Sequence, residues 1–192
     1  MVNLESVNMP NGSPQPGVTT QSKLVASAQT PNYAQSVGGR FNVVAIGASA
    51  GGLEACRKLL SVLPDQTGMA FILVQHLDPT HESLLANLLA THTKMLVQQA
   101  AEGMPIGPDC LYVIPPGFYL SVAQGTLHLT DPEVRRGTRL PFDFLLNSMA
   151  EEYGPRAACV VLSGTGSDGS LGVGAVRSKR GFVIAQDPAE AA

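Results

Sequence analysis

From residue 41 onward the chain alternates between two kinds of hydrophobic pattern. Short runs are apolar at almost every position: FNVVAIG, MAFILVQ and ACVVLSG, with FVIAQ as a last strand after them. A run without a polar face predicts a strand covered on both sides, the usual state of strands in a parallel sheet. Between them lie stretches whose apolar residues recur every three or four positions, the spacing of one helix face. In GGLEACRKLLSVLP these are Leu53, Cys56, Leu60 and Leu63, with Pro64 closing the helix. In HESLLANLLATHT they are Leu84, Leu85, Leu88 and Leu89, and in LPFDFLLNSMAEEYG they are Phe142, Leu145, Leu146 and Met149. DGSLGVGAVRSKRG is a glycine-heavy helix candidate. The middle of the chain differs, with CLYVI, FYLSV and TLHLT as short β-like runs separated by Pro and Gly. They predict a small antiparallel hairpin excursion. The fold class is therefore α/β, a doubly wound parallel (Rossmann-like) sheet with helices on both faces.

Residues 1–40 are rich in Ser, Gln, Asn, Pro, Thr and Gly, and are too poor in large apolar groups to offset the entropy of ordering. They read as a disordered tail or linker, with the domain spanning 41–192. Of the whole chain, 44% is hydrophobic and 14% charged, enough for a real core. A net charge of −3 and a pI near 5.7 argue against a protein that binds nucleic acid by neutralising phosphates. No apolar run approaches the roughly eighteen residues of a membrane span, and the polar N-terminus does not resemble a secretory signal. Cys56, Cys110 and Cys159 are odd in number, far apart and in apolar surroundings, which predicts reduced core thiols in a cytoplasmic protein.

In a doubly wound sheet, reactive groups collect where strands end and turn into helices. After the first strand comes GASAG, which fits G-x-S-x-G, a turn that lifts the hydroxyl of Ser49 from the sheet edge. The same residues also fit a dinucleotide cradle, with Gly47, Ser49 and Gly52 in its three slots and Asp78 as the ribose acid. A plain tight turn is the third reading, and the motif alone leaves all three open. A serine nucleophile needs a base that is oriented by a third group. Of the four histidines, His128 alternates within a β run and His81 opens a helix. His92 sits near a helix end, where a cation suits the dipole. His76 stands at the end of the second buried strand. Asp168 follows a third, in the glycine loop SGTGSDGS. A hydroxyl, an imidazole and a carboxylate on three strand ends make a coherent triad. A metal set of His76, Asp78, His81 and Glu82 fits no standard zinc spacing, and Pro79 interrupts any helix that would align it.

IGASAGGLEA, LVQHLDP, LYVIPP, LPFDFLLNSMAEE and VLSGTGSDG together, in this order, resemble the catalytic domain of chemotaxis-receptor protein-glutamate methylesterases (CheB-type) over about Asn42 to Pro188. The wording is closest to versions fused to a receptor methyltransferase, so such a domain is a candidate partner in the native protein. The resemblance implies hydrolysis of glutamate γ-methyl esters on the cytoplasmic helices of methyl-accepting chemoreceptors, and deamidation of glutamine in many relatives. It implies Ser49, His76 and Asp168 as the triad and no metal or organic cofactor. It also implies an oxyanion contact at the backbone of Thr165, with Ala50 and Gly51 beside the serine. Ala50 stands where stand-alone enzymes commonly carry Thr, and Thr165 where they usually carry Met. The polar N-terminal segment is too short and polar for a receiver domain, and relatives continue past AQDP with a further helix and strand. Two other readings remain at this point: a nucleotide-binding α/β domain, and an inactive receptor-docking fragment.

Overall fold

The apolar runs at 43–48, 70–75 and 157–161 take interior places in one sheet, whereas the run at 182–185 lies at its edge with Phe182 and Ile184 exposed. In the computed structural model the described residues are 40–49, 52–75, 84–131, 140–162, 167–187 and 189. The strands are β1 (Val43–Ala48), β2 (Ala70–Gln75), β3 (Leu96–Gln99), β4 (Cys110–Val113), β5 (Tyr119–Ala123), β6 (Thr126–Thr130), β7 (Ala157–Val161) and β8 (Phe182–Ala185). The helices are α1 (Gly52–Val62), α2 (Leu85–Ala90), α3 (Pro141–Tyr153) and α4 (Ser170–Ser178). Six strands pair in parallel in the order β3-β4-β2-β1-β7-β8, while β5 and β6 form a separate antiparallel pair. The tail read over residues 1–40 and the closing residues 190–192 fall, Arg40 apart, outside the described residues.

Strand alternation divides the core. Val43, Ala45, Ile72 and Val74 pack on one face with Leu145, Leu146 and Met149 of α3, Val176 of α4 and Leu120 and Leu127 of the hairpin. Val44, Ile46, Phe71 and Leu73 pack on the other with Cys56 and Leu60 of α1 and Leu85 and Leu89 of α2. Helices on both faces and the α/β fold class are as the pattern predicts.

Three details differ from the sequence expectation. CLYV is not part of the antiparallel excursion; it is β4, an interior parallel strand paired with β2 through Ala70 and Cys110. LVQQ, which no pattern marked, forms the edge strand β3, and its polar, half-exposed residues hide it from a search for apolar runs. In α2 only Leu85 and Leu89 face the core, and Leu84 and Leu88 are exposed. The hairpin itself turns at Gln124 and Gly125, both at positive φ (52° and 71°), the backbone that joins two twisted strands tightly.

Cys56, Cys110 and Cys159 are buried thiols outside any disulfide. Burial pushes the Cys56 thiol up to about 11, and that of Cys159 likewise to about 11 against a smaller opposing pull from Arg177.

Candidate active site

Because the sheet is parallel, the C-terminal ends of its strands line one edge. Ala48 pairs with Gln75, and Gly47 with Val161, so the chain leaves β1, β2 and β7 at one level. Ser49 follows β1 directly and is half-buried. Its carbonyl accepts the N–H of Gly52 at 2.9 Å, closing the turn into α1. The carbonyl of Gly47 accepts the N–H of Leu162 at 2.9 Å, which ties the serine strand to the end of β7.

Asp168 lies between β7 and α4, and both its carboxylate oxygens face the first turn of α3. Oδ2 accepts the N–H of Phe142 at 3.0 Å and Oδ1 that of Asp143 at 2.9 Å. The start of α3 explains why. Its N-cap residue is Leu140, which has no capping oxygen, and Pro141 has no N–H to donate. Phe142 and Asp143 are the first donors, and a carboxylate from another segment caps them at the positive end of the helix dipole. The cap is returned. The N-cap of α4 is Gly169 at φ 101°, again without a side chain, and the N–H of Gly172 in its first turn donates to Asp143 Oδ1 at 2.6 Å.

The ring of Phe142 lies between the serine strand and the aspartate loop. A Cβ on Gly47 would run into this ring, and one on Gly169 would fall 2.7 Å from its Cδ1. Only glycine at both positions lets the aromatic sit there. Packing thus accounts for Gly47 without a phosphate, which removes the reason to read the turn as a dinucleotide cradle. Sequence inspection registered Phe142 as core and passed over Asp143 altogether. Asp143 is 4% exposed, and its Oδ2 has no hydrogen-bond partner among the described residues. Gln75, at the same edge, is buried, and its Oε1 has no hydrogen-bond partner among the described residues.

Of the residues singled out from sequence, Ser49 and Asp168 are both at this edge, with the Phe142 ring against Gly47 in the serine strand and Gly169 next to Asp168. His76, Thr165, Ala50 and Gly51, and with them Asp78, His81 and Glu82, lie outside the described residues. Among the described residues no group of His, Cys, Asp or Glu is arranged to hold a metal ion. The remaining histidines have structural partners. His92 Nε2 accepts from Arg57 Nε at 2.9 Å, tying the end of the second helix to α1. His128 links Glu102 and Thr126 at 2.8 and 2.9 Å within the hairpin.

The family described as CheB methylesterase matches residues 44–192. A 104.1 kDa uncharacterized protein of Rhodobacter capsulatus is 47% identical over 56% of this chain and 11% of its own length. Protein-glutamate methylesterase FrzG of Myxococcus xanthus is 35% identical over 78% of this chain and 45% of its own. The chain thus spans less than half the length of these relatives. The crystal structure of the Thermotoga maritima CheB methylesterase catalytic domain superposes with a TM-score of 0.72 at 29% identity, covering 79% of this chain and 82% of that one. No helix among the described residues is long and apolar enough to cross a membrane.

Proposed function

The chain belongs to the CheB methylesterase family, and from that premise we propose that it hydrolyses glutamate γ-methyl esters on chemoreceptor helices by a Ser49–His76–Asp168 triad, residues 41–192 being the catalytic domain. The reading rests on one observation above the rest. The strand leading into Ser49 and the residue following Asp168 meet a single ring, Phe142, at Gly47 and Gly169, by the strand ends where this architecture gathers reacting groups.

In this mechanism Ser49 Oγ attacks the ester carbonyl while the imidazole of His76 takes its proton. The tetrahedral oxyanion is met by a backbone N–H near Thr165 and by the start of α1, next to Ala50 and Gly51. Collapse breaks the bond to methoxide, which leaves as methanol carrying the proton from His76. Water, deprotonated by the same imidazole, then cleaves the acyl-serine and regenerates Ser49 and the glutamate. Asp168 keeps the imidazole in the required tautomer and offsets its positive charge. Two N–H donors hold this carboxylate still, so it need not reorganise when that charge appears. Glutamine deamidation is the same acyl transfer with ammonia leaving. The partners under this reading are cytoplasmic receptor helices and, in a longer native protein, a methyltransferase domain.

Methanol release from methylated receptor tests the proposal. Ser49→Ala is expected to lower kcat by about a million-fold, and equal slow rates for both proteins would refute it.

A further inference from the structure

We propose that Asp143 is a positioning residue for Asp168, an inference that rests on the triad reading only for its catalytic consequence. The hydrogen bonds form a closed circuit. The N–H of Asp143 donates to Asp168 Oδ1 at 2.9 Å. From Asp168 the chain runs through Gly169 into the first turn of α4, where the N–H of Gly172 returns to Asp143 Oδ1 at 2.6 Å. Each carboxylate caps the helix that carries or follows the other. Neither helix has a capping side chain of its own, so each depends on its neighbour for that role.

The arrangement is costly if it does nothing but pack. Asp143 is almost fully buried, one of its oxygens lacks a partner among the described residues, and Gly172 approaches so closely that a Cβ there would fall 2.5 Å from Leu146 Cβ. An apolar side chain would fill the same space but leave the buried Gly172 N–H without its acceptor. The carboxylate of Asp143 instead fixes the turn that sets where Asp168 stands. The Asp168 loop is thereby held from both sides, by its own contacts to Phe142 and Asp143 and by the anchored start of α4. A base-orienting carboxylate must stay within a fraction of an ångström of its place, and a shift of about 1 Å far from the reacting atoms can cost on the order of a hundred-fold in rate.

Two variants and two readouts decide the matter in the full chain. Asp143→Ala removes the acceptor, whereas Asp143→Asn keeps an oxygen for Gly172. In methanol-release assays Asp143→Ala is expected to lose about 10- to 100-fold in kcat with KM little changed, and Asp143→Asn to recover most of it. By amide hydrogen exchange, the N–H of Phe142, which donates to Asp168, is expected to be protected in the wild type, to lose that protection in Asp143→Ala and to regain it in Asp143→Asn. Retained protection at position 142 in Asp143→Ala would overturn the inference. So would a folded Asp143→Asn as impaired as Asp143→Ala, which also covers the case where the alanine variant fails to fold. The exchange measurement needs no turnover. A wild type that releases no methanol would therefore defeat the esterase reading while exchange alone still judged the circuit.

Discussion

Two regions of this molecule join neighbouring segments by the same chemistry, a carboxylate accepting backbone N–H groups. In the first, Asp168 and Asp143 cap α3 and α4 beneath the Ser49 turn, against a buried aromatic ring and three glycines. In the second, Glu102 accepts the N–H of Leu129 at 2.6 Å and meets His128 Nδ1 at 2.8 Å, stapling the hairpin to the turn before it. The Glu102 side chain is 61% exposed. Water stands ready to replace its partners, and salt screens its charge. Asp143 is buried, and little water reaches it to replace a lost partner. The contrast teaches that the bond type does not set the energetic weight. The surroundings do, so a cap placed where water is excluded constrains geometry as well as adding stability.

The sharpest way to break the comparison is to remove what excludes the water. Phe142→Ala should cost about 3–5 kcal/mol, read as a shift in the urea midpoint, and loosen both Gly47 and Gly169 at once. A value under about 1 kcal/mol would mean the ring is not the common support. Gly47→Ala probes the same contact from the strand side. Its methyl group has no room beside Phe142, and overpacking of this kind costs about 1–3 kcal/mol. In a Phe142→Leu background the penalty should shrink, which thermal melts of the four proteins would show.

Glu102→Gln gives the smallest effect and fixes the other end of the scale. The Leu129 N–H, and then His128, hold the Glu102 carboxyl below its ordinary value. A depressed folded value means the contribution is present above the unfolded value and fades as pH falls through the folded one. Wild type and Glu102→Gln should therefore differ slightly in melting temperature at neutral pH and converge in acid, and added salt should narrow the gap. A difference that grew on acidification would contradict this account.

How much of this was legible beforehand depends on where each contact's partner lies in the chain. β1, β2 and β7 were readable because burial on both faces leaves an unbroken apolar run. α3 was readable because Phe142, Leu145, Leu146 and Met149 repeat at helical spacing. β4 was misplaced because its Pro- and Gly-flanked neighbours look like a local hairpin, while its true partner, Ala70, sits much earlier. β3 was missed because an edge strand needs little hydrophobicity. At the site, Ser49 and Asp168 stood out by their glycine-rich strand-end settings. Asp143 looked like any acid in a first helical turn, and only the fold shows that the N–H it accepts comes from Gly172. Gly47 drew attention as a turn former, yet what the structure requires of it is room for a ring belonging to α3.

The pairing of Val43 with Ala157 carries a consequence for how the molecule comes into being. The central strand borders one neighbour close behind it in the chain and another far downstream. Closing so long a loop is entropically slow, and parallel topologies fold late for that reason. On the ribosome, the nascent edge that carries Ser49 stays half-built until β7 and α4 have emerged. A nascent chain would thus present Ser49 before the strand that completes its edge, and that edge would close only when the distant strand arrives.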